Sequence, residues 1–251
     1  MGRDHSPPDA RGSLGARERF FTTRWSLVAR AGSGSREARD ALESLCGTYW
    51  FPLYAFARRR GLDHHAAQDA VQGFFARLIE KQDLAAADKE RGRFRSFLLG
   101  ALTNYLANAW DRDRAEKRGG GRARLSIDEA EAQRRYSAEF SVADAPERVF
   151  EREWARELSA RALSALAAEW KHAGREALFA RLRPFLTAEA SGAEQSAIAR
   201  ELDKTENAVR IALHRLRKRF GELLRLEVAE TVADAGDVDV ELAELLDALG
   251  S

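Results

Sequence analysis

Three groups of residues in this chain have side chains that could do chemistry. Asp63-His64-His65, with Asp69 close behind, offers the ligand types of a catalytic metal. A metal-bound water can attack a phosphoester. The spacing argues against that use. Successive side chains on a helix diverge by about 100°, whereas two histidines that share an ion sit at i and i+4. His172 is the one further candidate ligand weighed, and no strand pattern exists to carry the aspartates such an enzyme needs. Metal-dependent phosphoester hydrolysis therefore stays a remote alternative. No catalytic residue, metal or cofactor is expected.

The second group is Asn207, Arg210, Ile211, His214, Arg215 and Lys218, headed by Thr205. Arginine and lysine neutralise phosphates, and asparagine, histidine and arginine can read base edges in a major groove. The third is Asn104, Tyr105 and Trp110, running into Arg112, Arg114, Lys117 and Arg118. Aromatic rings can stack on unpaired bases while cations hold the backbone. A solvated basic helix in an ordinary bundle would carry similar residues without that function.

The elements that must position these groups all read as helices. Leu42, Leu45, Cys46, Tyr49, Leu53 and Phe56 repeat at helical spacing over 35–60, with a kink expected at Pro52 and a stop at Gly61. Asp63 is placed to cap a second helix over 63–80, with Ala67, Ala70, Val71, Phe74 and Leu78 on one face. The two form a hairpin in which Gly47 and Gly73 fall at about the same level, so close helix packing there is one reading of Gly73. Phe94, Phe97, Leu98, Leu102, Leu106 and Trp110 mark a long helix that ends in the basic run and Gly119-Gly120-Gly121. A short helix is expected near Thr23.

A second helical unit begins near Pro146. In it, Ala197, Ile198 and Leu202 face Val209, Leu213, Leu216 and Phe220 across the turn at Asp203-Lys204, with Thr205 as cap. Two helices joined by so short a turn make a helix-turn-helix. The expected fold class is all-α: two helical domains joined by a flexible linker, the second containing the helix-turn-helix. The boundaries read 1–19 disordered, 20–118 first domain, 119–150 linker, 151–226 second domain and 227–251 an acidic extension.

Composition sets the bounds. The chain has 251 residues, a formal net charge of +1 and one cysteine, Cys46. A lone cysteine excludes an internal disulfide and suits a reducing cytoplasm, the expected compartment. No apolar run approaches the roughly 18 residues that would cross a membrane, and no secretory leader is read at the start. Charge is uneven. Basic residues crowd into 112–124 and 210–225, and no lysine or arginine follows Arg225. The tail carries Val238, Leu242, Leu245, Leu246 and Leu249 at helical spacing. It is expected to form an amphipathic helix that packs on or masks the basic second domain.

The stretches AAQDAVQGFFARL (66–78), FRSFLLGALTNYLANAWDRDR (94–114) and QSAIARELDKTENAVRIALHRLRKRF (195–220) resemble the extracytoplasmic-function subgroup of sigma-70 family RNA polymerase sigma factors. The resemblance covers roughly 21–118 and 151–226. FTTRWSLV (21–28) further resembles a subset often associated with serine/threonine kinases. The resemblance implies that the first domain docks on the β′ clamp helices of core RNA polymerase and binds and melts the −10 promoter element. The second domain would dock on the β flap and read the −35 element.

It also implies site residues: Gln68, Asp69, Gln72 and Gly73 toward the polymerase; Asn104, Trp110, Arg112, Arg114, Lys117 and Arg118 on the −10 element; and the Thr205–Lys218 group on the −35 element. Promoter DNA, core polymerase, and a kinase or an anti-sigma factor are the implied partners. The alternative is a helix-turn-helix regulator that binds DNA without polymerase. Two departures matter. Gln68 and Gly73 stand where the family usually has acidic residues, which makes docking conditional on added negative charge, with Thr48 as the candidate phosphosite. Ile211-Ala212 stands where the family often has Ser-Arg, which implies a different −35 preference.

Overall fold

The structure is a computed structural model, and it describes residues 36–80, 93–113, 132–133, 135–136, 144–232 and 234–250. All regular structure among them is helical. The helices are α1 (Arg36–Arg59), α2 (His64–Glu80), α3 (Phe94–Asp113), α4 (Pro146–His172), α5 (Glu176–Leu182), α6 (Gly192–Glu201), α7 (Glu206–Ala229) and α8 (Val238–Gly250). The expectations for 1–19, for a helix near Thr23 and for most of 119–143 lie outside the described residues.

Local chemistry explains the breaks between helices. After α1, Gly61 takes a φ of 93°, and Leu62 N donates back to the Ala57 carbonyl at 3.3 Å. Only a residue at ease with positive φ closes a helix this way. Asp63 then caps α2, its carboxylate accepting from Ala66 N at 2.8 Å. α1 runs on as one helix through Pro52. Gly174 (φ 66°) ends α4 by the same device as Gly61, with Arg175 N donating to the Trp170 carbonyl at 2.9 Å.

α4 is the spine. It packs most extensively on α1, then on α7 and α8. Its first half buries Val149, Phe150, Trp154 and Leu158. Tyr49 of α1 stacks on Phe150 at 6.4 Å and meets Phe94 of α3 edge-on at 5.2 Å. Trp154 Nε1 donates to the Tyr49 hydroxyl at 3.1 Å. Burial pushes the Tyr49 phenol well above its ordinary pKa. The second half of α4 carries Ala162 and Leu166 into the layer with Leu223, Leu224 and Val228 of α7. The expected domain boundary at 151 thus falls inside one continuous helix, and the buried side chains form one cluster from Cys46 to Ala248.

Part of the expected linker is also tied down. Gln133 Oε1 accepts from Arg58 at 2.6 Å and from the Tyr54 hydroxyl at 3.2 Å. Arg135 pairs with the buried Glu153 at 2.8 Å, and its guanidinium lies 3.9 Å over the Phe51 ring. Single polar anchors of this kind leave no periodic pattern, which is why the segment reads as unattached. The Gly47–Gly73 contact is not formed. Gly47 is exposed with open space around it, whereas Gly73 is buried.

Candidate nucleic-acid interface

α6, the turn after it and α7 are built by caps. Ser191 and Glu194 form a reciprocal capping box at the start of α6. Its end is closed by Lys204 N donating to the Ala199 carbonyl at 2.8 Å, with Asp203 at φ 50°. A non-glycine at that angle is uncommon, and aspartate is among the residues that tolerate it. Thr205 then caps α7, its hydroxyl accepting from Ala208 N at 3.2 Å. Ser196 of α6 donates to Glu206 of α7 at 2.6 Å. Ile198 and Ala199 of α6 are buried, as are Val209, Leu213 and Leu216 of α7.

That burial leaves the opposite side of α7 facing outward. Asn207, Arg210, His214, Arg215 and Lys218 are exposed, and so is the cap Thr205. Ile211 is 43% exposed among them. Asn207 Oδ1 accepts from Arg210 at 2.6 Å, which orients both side chains together. A cleft of about 290 Å³ opens beside them, lined by Glu189, Gln195, Arg210, His214 and Arg217 among others. The sequence reading overlooked Arg217. It donates to the carbonyls of Phe185 (3.0 Å) and Ala188 (2.7 Å), clamping the segment before α6 onto α7. Its partners are backbone atoms, which no side-chain pattern reveals.

The α2–α3 surface is less complete. Asn104 is exposed, and Tyr105 is half-buried with its ring 5.9 Å from Phe74. With Arg77, Phe97 and Asn108 they line a groove of about 230 Å³. The side chains of Trp110 and Arg112, and all of Arg114, Lys117 and Arg118, lie outside the described residues. Tyr105 thus sits with Phe74 and Phe97 on the aromatic side of the groove.

On α2 the expected polymerase face is in part turned inward. Asp69 is exposed and Gln72 half-buried, but Gln68 is 5% exposed and Gly73 is buried. A side chain at position 73 would thus start from a covered stretch of backbone, unlike that of Asp69. Thr48 is also displaced from its expected role. It is 3% exposed; its hydroxyl donates to the Ser44 carbonyl at 3.1 Å and accepts from Arg161 at 3.0 Å. A kinase cannot reach it in this fold.

At the Asp63-His64-His65 stretch, His64 is half-buried, its Nδ1 within 2.8 Å of the Tyr54 hydroxyl. His65 is exposed. Among the described residues no group of three or more His, Cys, Asp or Glu could hold a metal ion. No described helix is long and apolar enough to cross a membrane.

The acidic tail forms a helix, α8, but it does not cover the outward face of α7. It packs on α4 and on α7, burying Val238, Glu241, Leu245 and Ala248, while Leu246 and Leu249 stay exposed. Asp239 pairs with Arg225 at the rear of α7, and Glu241 and Glu244 reach the head of α3. Glu241 accepts from Arg95 Nε at 2.7 Å and pairs with Arg93 at 2.9 Å. Glu244 pairs with both arginines. Arg95 is 5% exposed and lies 4.5 Å over the Trp154 ring. Burial pushes the Glu241 carboxyl up, against the pull of Arg95, whereas the hydrogen bond from Arg93 holds Glu244 down.

No family model, no curated protein and no solved structure matches the chain.

Proposed function

We propose that the chain is an alternative sigma factor, which binds core RNA polymerase and directs promoter recognition, DNA melting and transcription initiation. One observation carries the DNA-contacting part. At the head of a capped helix, Asn207, Arg210, His214, Arg215 and Lys218 all face outward, while Val209, Leu213 and Leu216 anchor the same turns. A helix presented N-terminus first, with readers and cations on one side, suits a major groove. The resemblance of 66–78, 94–114 and 195–220 to sigma factors supplies the polymerase. Under this reading α7 contacts the −35 element, α3 contacts the −10 element, and Asp69 with Gln72 supplies the accessible part of the clamp contact on α2.

The test is reconstitution with core RNA polymerase. The chain should direct specific run-off transcripts from genomic templates and should shift promoter DNA only when core is present. A shift of comparable strength with DNA alone would replace the sigma reading by that of a free-standing regulator. The double variant Arg215→Ala/Lys218→Ala should lower the affinity of the −35 contact and flatten its dependence on salt by about one unit of slope per lost phosphate contact. Its stability should stay within about 0.5 kcal/mol of the parent, because both side chains are exposed. Unchanged salt dependence would remove both residues from the interface.

A further inference from the structure

We propose that Ile211 is a specificity-determining residue on the outward face of α7, and that it reads the 5-methyl group of a thymine in the major groove. The proposal rests on the reading of that face as a DNA contact, and it names one base that the contact selects.

The direction of the side chain carries it. Successive residues of a helix turn by about 100°. Val209, Leu213 and Leu216 fix the inward direction of this part of α7. On that rotation Ile211 points within roughly 20° of the opposite direction. The residue turned most squarely away from the core is therefore an isoleucine, and it is 43% exposed. A single exposed apolar residue is ordinary on a protein surface. The surroundings set this one apart. Asn207 and His214 stand about one turn before and after it, Arg215 and Lys218 follow, and all four are exposed. The other exposed large apolar residues differ. Leu226 lies on the rear half of α7, and Val240, Leu246 and Leu249 lie on α8, whose charged residues are all acidic. Only Ile211 sits where the nearby charge draws a polyanion.

The chemistry of the groove then selects the base. Among the base edges of the major groove, thymine alone offers a carbon group, its 5-methyl. Isoleucine has no side-chain donor or acceptor. Against another base it would cover polar atoms and leave them unpaired, which costs free energy. Against thymine it buries methyl on methyl. Ala208 is exposed and Ala212 half-buried beside it, and side chains that short let the bases come close. Register is held by the polar neighbours. Asn207 is oriented by the hydrogen bond from Arg210. One helical turn of about 5.4 Å places it one to two base pairs from the thymine. The same chemistry requires DNA, because the deep, narrow major groove of an RNA duplex shuts out side chains.

The experiment uses the full-length chain with core RNA polymerase and the promoter duplex that gives the strongest run-off transcript from genomic templates. Each thymine of the upstream element, on either strand, is replaced in turn by deoxyuridine, which keeps every hydrogen-bonding group and lacks the methyl. At one position the exchange should weaken binding of the parent about fourfold, the worth of burying one methyl group. Ile211→Ala should bind the thymine duplex more weakly by a similar factor and be indifferent to the exchange at that position. Ile211→Val, which keeps a branched apolar end, should remain sensitive to it. A parent that no deoxyuridine weakens overturns the proposal. So does an equal loss in the parent and in Ile211→Ala, since the methyl then acts through the shape of the DNA. Weaker binding of Ile211→Ala to core polymerase without DNA also overturns it, by assigning the side chain to a protein contact. Should the chain select DNA without polymerase, the sigma reading falls, and the same exchange on the selected duplex tests Ile211 unchanged. Absence of sequence-selective binding in either form removes both.

Discussion

The two halves of α7 are one helix with opposite treatment of charge. Over 206–218, Arg215 and Lys218 are exposed and have no ion-pair partner among the described residues, and Arg210 is turned toward Asn207. Over 219–229 the charges are paired. Arg219 holds Glu169 and Glu222 at 2.7 and 2.8 Å, Arg225 holds Asp239, and Glu227 holds Arg161. The front half also offers its apolar residues to a small helix, α6, whereas the rear half is packed on the spine α4. The contrast teaches where the molecule keeps its electrostatic capacity unspent. Cations already paired with carboxylates inside a fold are less free to neutralise an external polyanion.

The largest expected effect breaks the rear half. Leu224 is 5% exposed in the shared core, so Leu224→Ala should cost about 2–5 kcal/mol of unfolding free energy, measured in urea. A loss below about 1 kcal/mol would mean that the rear half is loosely held. A middle-sized effect sharpens the front half. Thr205→Ala removes the cap of α7 and should cost about 1 kcal/mol, with amide exchange rising in its first turn and not near Val228. Uniform exchange along the helix would show the two halves to be one unit.

The smallest effect concerns the exposed pairs. Arg219→Ala should cost only a few tenths of a kcal/mol, since its ion pairs are solvent-screened. The hydrogen bond from Arg219 holds the Glu169 carboxyl below its ordinary pKa of 4.5. A carboxylate with a depressed folded pKa stabilises the fold above its ordinary pKa and loses that contribution as pH falls through the folded one. Arg219→Ala should therefore flatten the stability profile slightly below about pH 4.5. An unchanged profile would assign the pair no role at all.

Much of this fold is legible in the residues. Helical spacing, Asp63, Gly61, Thr205 and the turn at Asp203 place α1, α2, α6 and α7 with little room for error, because caps and turns are settled by neighbours in the chain. The outward face of α7 follows as soon as Val209, Leu213 and Leu216 are turned inward. The failures share one cause. The burial of Gln68, Thr48 and Gly73 and the anchoring of Gln133 and Arg135 all depend on residues far away in sequence.

By itself, then, the sequence determined that the chain is helical, where its helices start and stop, and which residues of α7 turn outward. Those are consequences of local hydrogen bonding and of apolar periodicity within single helices. Only the tertiary structure decided that α4 would run through both halves as a common spine, and that the acidic tail would grip Arg93, Arg95 and Arg225 while leaving the outward face of α7 uncovered. A charge pattern says that two segments attract. Which arginines a carboxylate meets is decided by the packing that carries its helix past them, here Val238, Leu245 and Ala248 buried in the shared core.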